Sequence, residues 1–569
     1  PPGSRAQHGS CTSQAYKVVS AVADSSTKGF TSPSYQPVQS LKKAPCQDSC
    51  PNCGDIRGWI GIVAQREKTG LAREDAYAQA WRTITEVNPF PATLGRICPH
   101  PCESHCNRDE LDESLAINAM ERFLGDFAIE AGLPLPRSRS NEAVESIGVV
   151  GAGPSGLSFA YQMSRRGYRV TIYDAREKPG GMLRYGVPDY RLPPAVLDAE
   201  IRRIVDLGVN LKMNSAIGQD ISLDDLHQRH DYLYLGIGAQ KGKALDIPGA
   251  DGPSVLTSAE YLQQVNRDGP VSLGDHVVVI GGGSSAIDSA RCARRGGASV
   301  VVMYRRGMEE MPALMHELEE AVEEGVELML LVSPVRFDRE ADGRLTSVTA
   351  RHMKKGEIDA SGRPRPVEVE GSDFQVAADT VISAVSQVPD LEGFGSVDGS
   401  GRWLVADEHG RISDRLWVGG DVLGLGIAGT AIVQGRHAAE QLHARLRNLE
   451  EETGNDETPP ISSRDVILEV RENQDAVRPA RRTAAERLGQ PGLEVRETIT
   501  EEQFLQEAGR CMSCGACAGC EQCYMYCTTG CFTRLDESEP GRYFALALDE
   551  CRKCGKCVEV CPSGYLDAT

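Results

Sequence analysis

Apolar runs that break off into glycine turns set the rhythm of this chain. Ile147-Gly-Val-Val leads into Gly151-Ala-Gly153-Pro154-Ser155-Gly156 and then a helical stretch, which predicts strand, turn and helix in that order. The next apolar run, Arg169-Val-Thr-Ile-Tyr, ends in Asp174, 23 residues after Gly151. The order returns at His276-Val-Val-Val-Ile, Gly281-Gly-Gly283-Ser284-Ser285-Ala286, a helix, and Ala298-Ser-Val-Val-Val-Met-Tyr304, this time followed by Arg305 and Arg306. Residues 381–390 read as strand and turn. Leu416-Trp-Val reads as a buried strand before Gly420-Asp421, and a glycine-rich run through Gly429-Thr430 opens a helix to about 446. Helical composition also marks 71–87, stopped by Asn88-Pro89, then about 115–131, and TITEEQFLQEAGR at 498–510. Polar stretches separate these blocks. Residues 1–44 are an arm rich in Ser, Gln and Pro whose lone Cys11 is a spare thiol, 448–460 is an acidic linker closed by two prolines, and 461–505 is an extended connector.

At 569 residues the chain needs three or four domains, and 40% apolar residues with 59 glycines suits α/β packing. The expected fold is α/β multidomain: a helical N-terminal iron–sulfur domain, two Rossmann-like nucleotide-binding domains and a C-terminal ferredoxin-like α+β domain. The expected boundaries are 1–44 for the arm, 45–140 for the helical domain and 141–270 for the first part of one nucleotide-binding domain. A second nucleotide-binding domain over 271–385, the rest of the first over 386–447, a linker over 448–505 and the ferredoxin-like domain over 506–569 follow. A net charge of −20 disfavours nucleic acid as a partner. No stretch approaches the roughly 18 apolar residues of a membrane span. No secretory leader is visible, and the 19 cysteines cluster at metal-ligand spacing, so a reducing cytoplasm is expected.

The glycine turns carry the first chemistry. Their glycines allow a tight turn and let a pyrophosphate approach a helix N-terminus, whose amides favour anions. Asp174 stands where an acid accepts from a ribose hydroxyl. Arg305 and Arg306 occupy the matching place in the second unit, where guanidinium forks suit a 2′-phosphate; this favours NADP over NAD, the alternative being plain solvated charge. Gly420, Asp421 and Thr430 are placed to cradle a second part of the first nucleotide. Lone Cys292 reads as a packed small side chain.

The second chemistry lies in the cysteines. Eleven of the nineteen fall between 511 and 561 and include two copies of C-x2-C-x2-C-x3-C. That spacing puts three thiolates on one cubane and sends the fourth to the other. Cys517, Cys520, Cys523 and Cys561 are thereby expected on one [4Fe–4S] cluster, and Cys551, Cys554, Cys557 and Cys527 on a second. Paired zinc sites are the alternative, but they leave the repeated x3 step unexplained. A further group, Cys46, Cys50 and Cys53 with Cys98, Cys102 and Cys106, brackets the 71–87 helix and can converge on one metal site, with His100 or His105 taking part.

Together these motifs resemble the glutamate synthase small-subunit family of NAD(P)H-oxidising iron–sulfur flavoproteins. The resemblance is carried by PCQDSCP, GRICPHPCESHC, INAMERF, VVGAGPSGL, PGGMLRYGVPDYRLP, VVVIGGGSSAIDSAR, YRRGMEEMPA and VGGDV…GTAIVQGRHAA, over about residues 45–447. It implies FAD on Gly151, Gly153, Gly156, Asp174, Gly181 and Met182, with Asp421 near the ribityl chain. NAD(P)H is implied on Gly281, Gly283 and the arginine pair. It implies one N-terminal cluster on Cys50, Cys98 and Cys102 with Glu121 as fourth ligand, because Leu41-Lys42-Lys43 stands where fuller members carry another C-x2-C. Cys46 and Cys106 are substitutes for Glu121. Ser386 and Thr528 stand where the family usually has glycine and proline.

The ferredoxin tail resembles a subgroup that serves other enzymes. The stretch CPNCGDIRGWIGIVAQREKTG points to dissimilatory sulfite reductase as the protein partner; a 2-oxoacid oxidoreductase, glutamate synthase itself or a non-catalytic electron-wiring role are the alternatives. A homodimer is also considered. No catalytic residue is expected, since hydride transfer needs no side-chain acid or base.

Overall fold

The computed structural model describes residues 35–138, 143–360, 362–397, 403–449 and 458–568. The chain divides into two compact units, one built from 136–447 with 480–497, the other from 35–135, 448–479 and 498–568. Most of the predicted arm, Cys11 included, lies outside the described residues, as does 450–457 of the acidic linker.

The first unit holds two five-stranded parallel sheets. One runs Leu416–Val418, Tyr232–Leu235, Ser146–Val150, Arg169–Tyr173, Asn210–Lys212. The other runs Glu327–Leu330, Ser299–Tyr304, His276–Ile280, Thr380–Ser383, Val255–Thr257. Strands covered by helices on both faces need apolar side chains at every position, which is why VVVI and YLYL read as unbroken runs. In each sheet the strand before the glycine turn is central, so the turn opens at the carboxyl ends of the strands, where open α/β sheets bind ligands. The sequence reading did not foresee a three-stranded antiparallel sheet, Val332–Arg339, Leu345–Ile358 and Pro364–Ala377. At both ends of Pro364–Ala377 half-buried and exposed positions alternate, so one face is partly covered and the other open.

The connector segment 480–497 belongs to this unit and is fastened by charge. The Glu324 carboxylate, with no exposed side-chain surface, accepts from Arg291, Arg295 and Arg487 at 2.7, 2.8 and 3.0 Å. Asp288 accepts from Tyr190 at 3.1 Å and from Arg191 at 2.7 Å, tying the GVPDYRLP segment to the helix Ser284–Arg295.

The second unit has helices Ile56–Ala64, Arg73–Thr85, Pro91–Ile97, Ile117–Glu130 and Glu501–Gly509 around one core. The predicted 71–87 and 115–131 helices are recognisable here. Trp59, Ile60, Val63, Tyr77, Met120 and Leu124 pack with Phe504 and Ala508 from the far end of the sequence. Tyr77 meets Phe123, Phe127 and Phe504 edge-on, with ring centroids 5.4–5.7 Å apart. Thr500 caps the last helix, its hydroxyl accepting from Gln503 N–H at 3.2 Å while Gln503 returns the bond to Thr500 N–H at 2.9 Å. A ferredoxin-like end follows, with the hairpin Phe532–Glu539/Arg542–Leu546 and short helices Gln522–Tyr526 and Lys556–Glu559. The strand Leu566–Ala568 pairs antiparallel with Pro37–Gln39, so the described end of the arm lies on the chain terminus.

Candidate nucleotide and iron–sulfur sites

The first glycine turn is shaped by what a side chain would hit. Gly151 has φ 102°, and a Cβ there would stand 2.4 Å from the Gly236 carbonyl oxygen. On Gly156 it would lie 2.0 Å from the Gly151 oxygen. Gly153 caps the helix Pro154–Arg165, and Gly181 (φ 53°) packs so close that its own Cβ would meet the Gly153 Cα at 2.7 Å. Met182 begins the short helix Met182–Tyr185 just beyond. Backbone therefore lines this opening, and its free amides are anion-binding groups.

Asp174 accepts from Ala152 N–H at 2.7 Å and Arg176 N–H at 2.8 Å. Burial pushes its carboxyl up, against those two bonds. Each carboxylate oxygen keeps a second lone pair for a ribose hydroxyl. Ser155 turns its hydroxyl inward to Tyr234 at 2.5 Å, which leaves its backbone N–H as its contribution to an anion. Gly420 N–H is taken by Gln434 at 2.7 Å, while Asp421 accepts from Gly426 N–H at 3.1 Å and is pushed up to about 6 by burial. Thr430 lies in the first turn of the helix Ala428–Arg447, which approaches Pro154–Arg165 so closely that a Cβ on Gly435 would stand 2.2 Å from the Ser155 oxygen.

The second turn repeats this economy. A Cβ on Gly281 would meet the Ala384 oxygen at 2.5 Å, whereas nothing stands within 4 Å of one built on Gly283, the cap of Ser284–Arg295. Ser285 is exposed there, while Ser284 donates to Glu317 at 2.8 Å. The two arginines part company. Arg305 is exposed, but Arg306 is buried, donating to Asp359 at 2.7 Å and the Pro364 carbonyl at 3.0 Å. The paired fork expected from sequence is thereby narrowed to Arg305, because Arg306 is turned into the antiparallel sheet.

In the second unit one cavity is lined by Cys517, Cys520, Cys523 and Cys561 together, beside Phe532 and Tyr565. These are the three thiols of one run and the fourth of the other. Cys527 lies close enough to Cys557 of the second run for their charges to interact, and Cys531 senses both Cys527 and Cys551. Burial opposes its ionisation, yet Thr529 and the Cys531 N–H outweigh that and bring the Cys527 thiol down to about 7. Cys98, Cys102 and Cys50 form a further group. Burial, then the Glu121 carboxylate, push Cys98 up to about 12, against a 3.4 Å bond from His100 N–H. Asn88 holds Glu121 in place at 2.8 Å. Cys46 lies near Cys102 and also near Cys511, Cys106 and Cys514, and Cys106 near Cys511 and Cys514. His100 pairs with Glu103 at 3.1 Å, and His105 Nδ1 lies 3.0 Å from the Pro101 oxygen. Among the described residues no three His, Cys, Asp or Glu side chains converge tightly enough for a single ion. A cubane, being larger than an ion, holds its thiolates further apart.

Two dinucleotide turns in one unit and cysteine loops in the other define an iron–sulfur flavoprotein oxidoreductase that uses a nicotinamide nucleotide. The chain belongs to the pyridine nucleotide-disulphide oxidoreductase family, whose model matches residues 145–441. The model for dihydropyrimidine dehydrogenase domain II, a 4Fe-4S cluster domain, matches 38–133. The small chain of NADPH glutamate synthase from Azospirillum brasilense is 34% identical over 426 residues, 70% of this chain and 86% of that one. Subunit beta of the NADPH-Fe(3+) oxidoreductase of Geobacter sulfurreducens is 37% identical over 354 residues, 61% of this chain and 51% of its own. Subunit beta of the NADP(+)-dependent formate dehydrogenase of Moorella thermoacetica is 34% identical over 457 residues, 75% and 62%. The chain thus spans about half the length of the Geobacter relative.

Proposed function

We propose that this chain exchanges electrons between NADP(H) and a protein redox partner, with FAD at the Gly151 turn and [4Fe–4S] clusters in the second unit. The observation that carries the reading is the cavity in which Cys517, Cys520, Cys523 and Cys561 meet, in a chain that also builds two dinucleotide turns. When bound, FAD supplies the conversion between hydride and single-electron chemistry, and clusters carry the single electrons. The chain's own residues position these groups. Gly151, Gly153, Gly156 and Gly181 clear space for a pyrophosphate, Asp174 takes the ribose, and Met182, Asp421 and Thr430 border the rest of the FAD site. Gly281, Gly283 and the N–H groups of Ser284 and Ser285 receive the second pyrophosphate, and Arg305 the 2′-phosphate. Cys551, Cys554, Cys557 and Cys527 hold the second ferredoxin cluster, and Cys50, Cys98, Cys102 and Glu121 the N-terminal one.

Dissimilatory sulfite reductase is the proposed partner, but the stretch that suggested it has an internal task. Arg57 donates to the Cys514 carbonyl at 2.7 Å, and Lys68 to the Ala518 and Gly519 carbonyls at 2.8 and 3.0 Å. Gln65 donates to the Ser513 hydroxyl at 3.2 Å and accepts from the Tyr543 hydroxyl at 2.5 Å. Residues 50–70 therefore fasten the ferredoxin end, which narrows the basis for naming a partner to co-purification from the native host.

The test is anaerobic purification followed by flavin spectroscopy, iron analysis and NADPH-dependent dye reduction. Cys561→Ala should lose about four iron atoms, keep its flavin and its dye reduction, and fail to reduce a protein acceptor. Protein with neither flavin absorbance nor dye reduction is a wiring subunit, and the proposal falls.

A further inference from the structure

Three chain segments far apart in sequence are stitched together around four thiols that the reading above leaves unused. Lys42 N–H donates to the Gly515 carbonyl at 3.0 Å, and Arg57 bridges the carbonyls of Lys42 and Cys514 at 2.6 and 2.7 Å, which sets Pro45-Cys46 beside Cys511–Gly515. Arg108 donates to the Arg510 carbonyl at 2.7 Å, and Asn107 to the Ile461 carbonyl at 3.1 Å, which brings in Cys106. Arg510 itself is fully buried, held by Glu507 at 2.6 Å, by Asp112 at 3.1 Å and by the Glu113 carbonyl at 2.7 Å. Cys46, Cys106, Cys511 and Cys514 are half-buried, outside any disulfide, and near enough for a charge on one to be felt by the others.

The backbone of this loop is that of the ferredoxin loops. In Cys551–Gly555, Lys553 (φ 58°) and Gly555 (φ 71°) are left-handed; in Cys517–Glu521, Gly519 (φ 61°) and Glu521 (φ 65°) are; in Cys511–Gly515, Ser513 (φ 53°) and Gly515 (φ 74°) are. In Cys551–Gly555 the left-handed residue between the cysteines turns its N–H onto the first sulfur, Lys553 on Cys551 at 3.3 Å, and Gly519 and Ser513 occupy the matching left-handed place in the other two loops. A serine in that conformation costs about 1 kcal/mol or more, and such strain persists where the surroundings hold it for a function. Hydrogen bonds from backbone to sulfur tune cluster thiolates.

We infer that Cys46, Cys106, Cys511 and Cys514 ligate an additional [4Fe–4S] cluster, its ligands drawn equally from the two ends of the chain. Cys46 lies near Cys102 of the N-terminal group, and Cys514 stands three residues before Cys517 of the ferredoxin cavity. The additional cluster thereby joins two sites that are otherwise separate. The inference rests on the iron–sulfur reading proposed above and extends it from three clusters to four.

The full chain is reconstituted anaerobically with ferrous iron and sulfide, and iron, sulfide and zinc are measured beside the electron paramagnetic resonance of the reduced protein. About sixteen iron atoms are expected, four per cluster. The Cys511→Ala/Cys514→Ala double variant should hold about four fewer and lose one reduced-cluster signal, with flavin content and circular dichroism unchanged. Cys106→Ala, which leaves the 511–515 loop whole, should show the same loss, and Cys531→Ala none. About twelve iron atoms in the wild type, undiminished in the double variant, overturn the additional cluster while leaving the relay intact; zinc lost from the double variant in place of iron also overturns it. Fewer than eight iron atoms in the wild type remove the relay itself.

Discussion

Replacing Arg305 with alanine tests the nicotinamide site most directly, because its neighbour provides an internal control. Arg305 is exposed at the end of Ser299–Tyr304 and keeps its guanidinium available to a dianion. A hydrogen bond to a charged group contributes about 1.5–3 kcal/mol, and exposure puts this one at the lower end. A loss of about 1–2 kcal/mol corresponds to about 5–30-fold in kcat/KM for NADPH. NADH has no 2′-phosphate, so its kcat/KM should change less than about twofold by the same argument. Arg306→Ala perturbs something else. It strips Asp359 and the Pro364 carbonyl of a buried partner, which should lower stability by about 2–4 kcal/mol and depress both nucleotides alike. The assay is steady-state dye reduction at varied NADPH and NADH, with urea denaturation alongside. Equal losses for the two nucleotides in Arg305→Ala, or a selective NADPH loss in Arg306→Ala, would refute the placement of the 2′-phosphate.

Glu324→Ala should destabilise the first unit by about 3–5 kcal/mol, because Arg291, Arg295 and Arg487 would be left buried around a missing carboxylate; limited proteolysis should then cut first within 480–497, and a chain as resistant as wild type contradicts the network's role. Asp421, raised by burial to about 6, gives a pH signature. The folded state of the nucleotide-free protein binds the extra proton between the ordinary carboxylate range and pH 6, so stability should fall as pH rises through that window and level off above it. Asp421→Asn should flatten that slope in denaturation curves taken at pH 4.5 and 7; an unchanged slope assigns it to another group.

The nucleotide turns were legible because their residues are consecutive and their physics is local. Gly151, Gly156 and Gly281 permit backbone approaches that any Cβ would block, and a parallel strand buried on both faces announces itself as an apolar run. The antiparallel sheet over 332–377 was not legible, since its half-exposed strands alternate and carry many charges, as solvated loops do. Nor was the division of labour between Arg305 and Arg306. Both residues follow the strand Ser299–Tyr304 in a bend, and only the position of Asp359, 53 residues on, settles which one turns inward. The cluster ligands lie between these cases. The repeated x3 step anticipates that Cys561 of one run lines one cavity with Cys517, Cys520 and Cys523 of the other, but no spacing rule brings Cys46 to Cys511, because that approach is made by Arg57, Arg108 and Arg510 rather than by the cysteines.

The arginines also explain how the far ends of one chain come to share a core. Glu507 has no exposed surface, accepts Ala116 N–H at 2.8 Å at the start of Ile117–Glu130, accepts Val477 N–H at 2.9 Å, and pairs with Arg510. One carboxylate thus caps an N-terminal helix, holds the connector and aims the residue before Cys511. A buried carboxylate that accepts three hydrogen bonds has few alternative arrangements of similar energy, so this network specifies the approach of the 511–515 loop more than it stabilises it. Phe504, stacked on Phe123 at 4.4 Å, supplies the stabilising half through apolar burial. The thiolates of the proposed additional cluster come from the same two ends, so metal bound there would brace an approach that the Glu507–Arg510 network has already set.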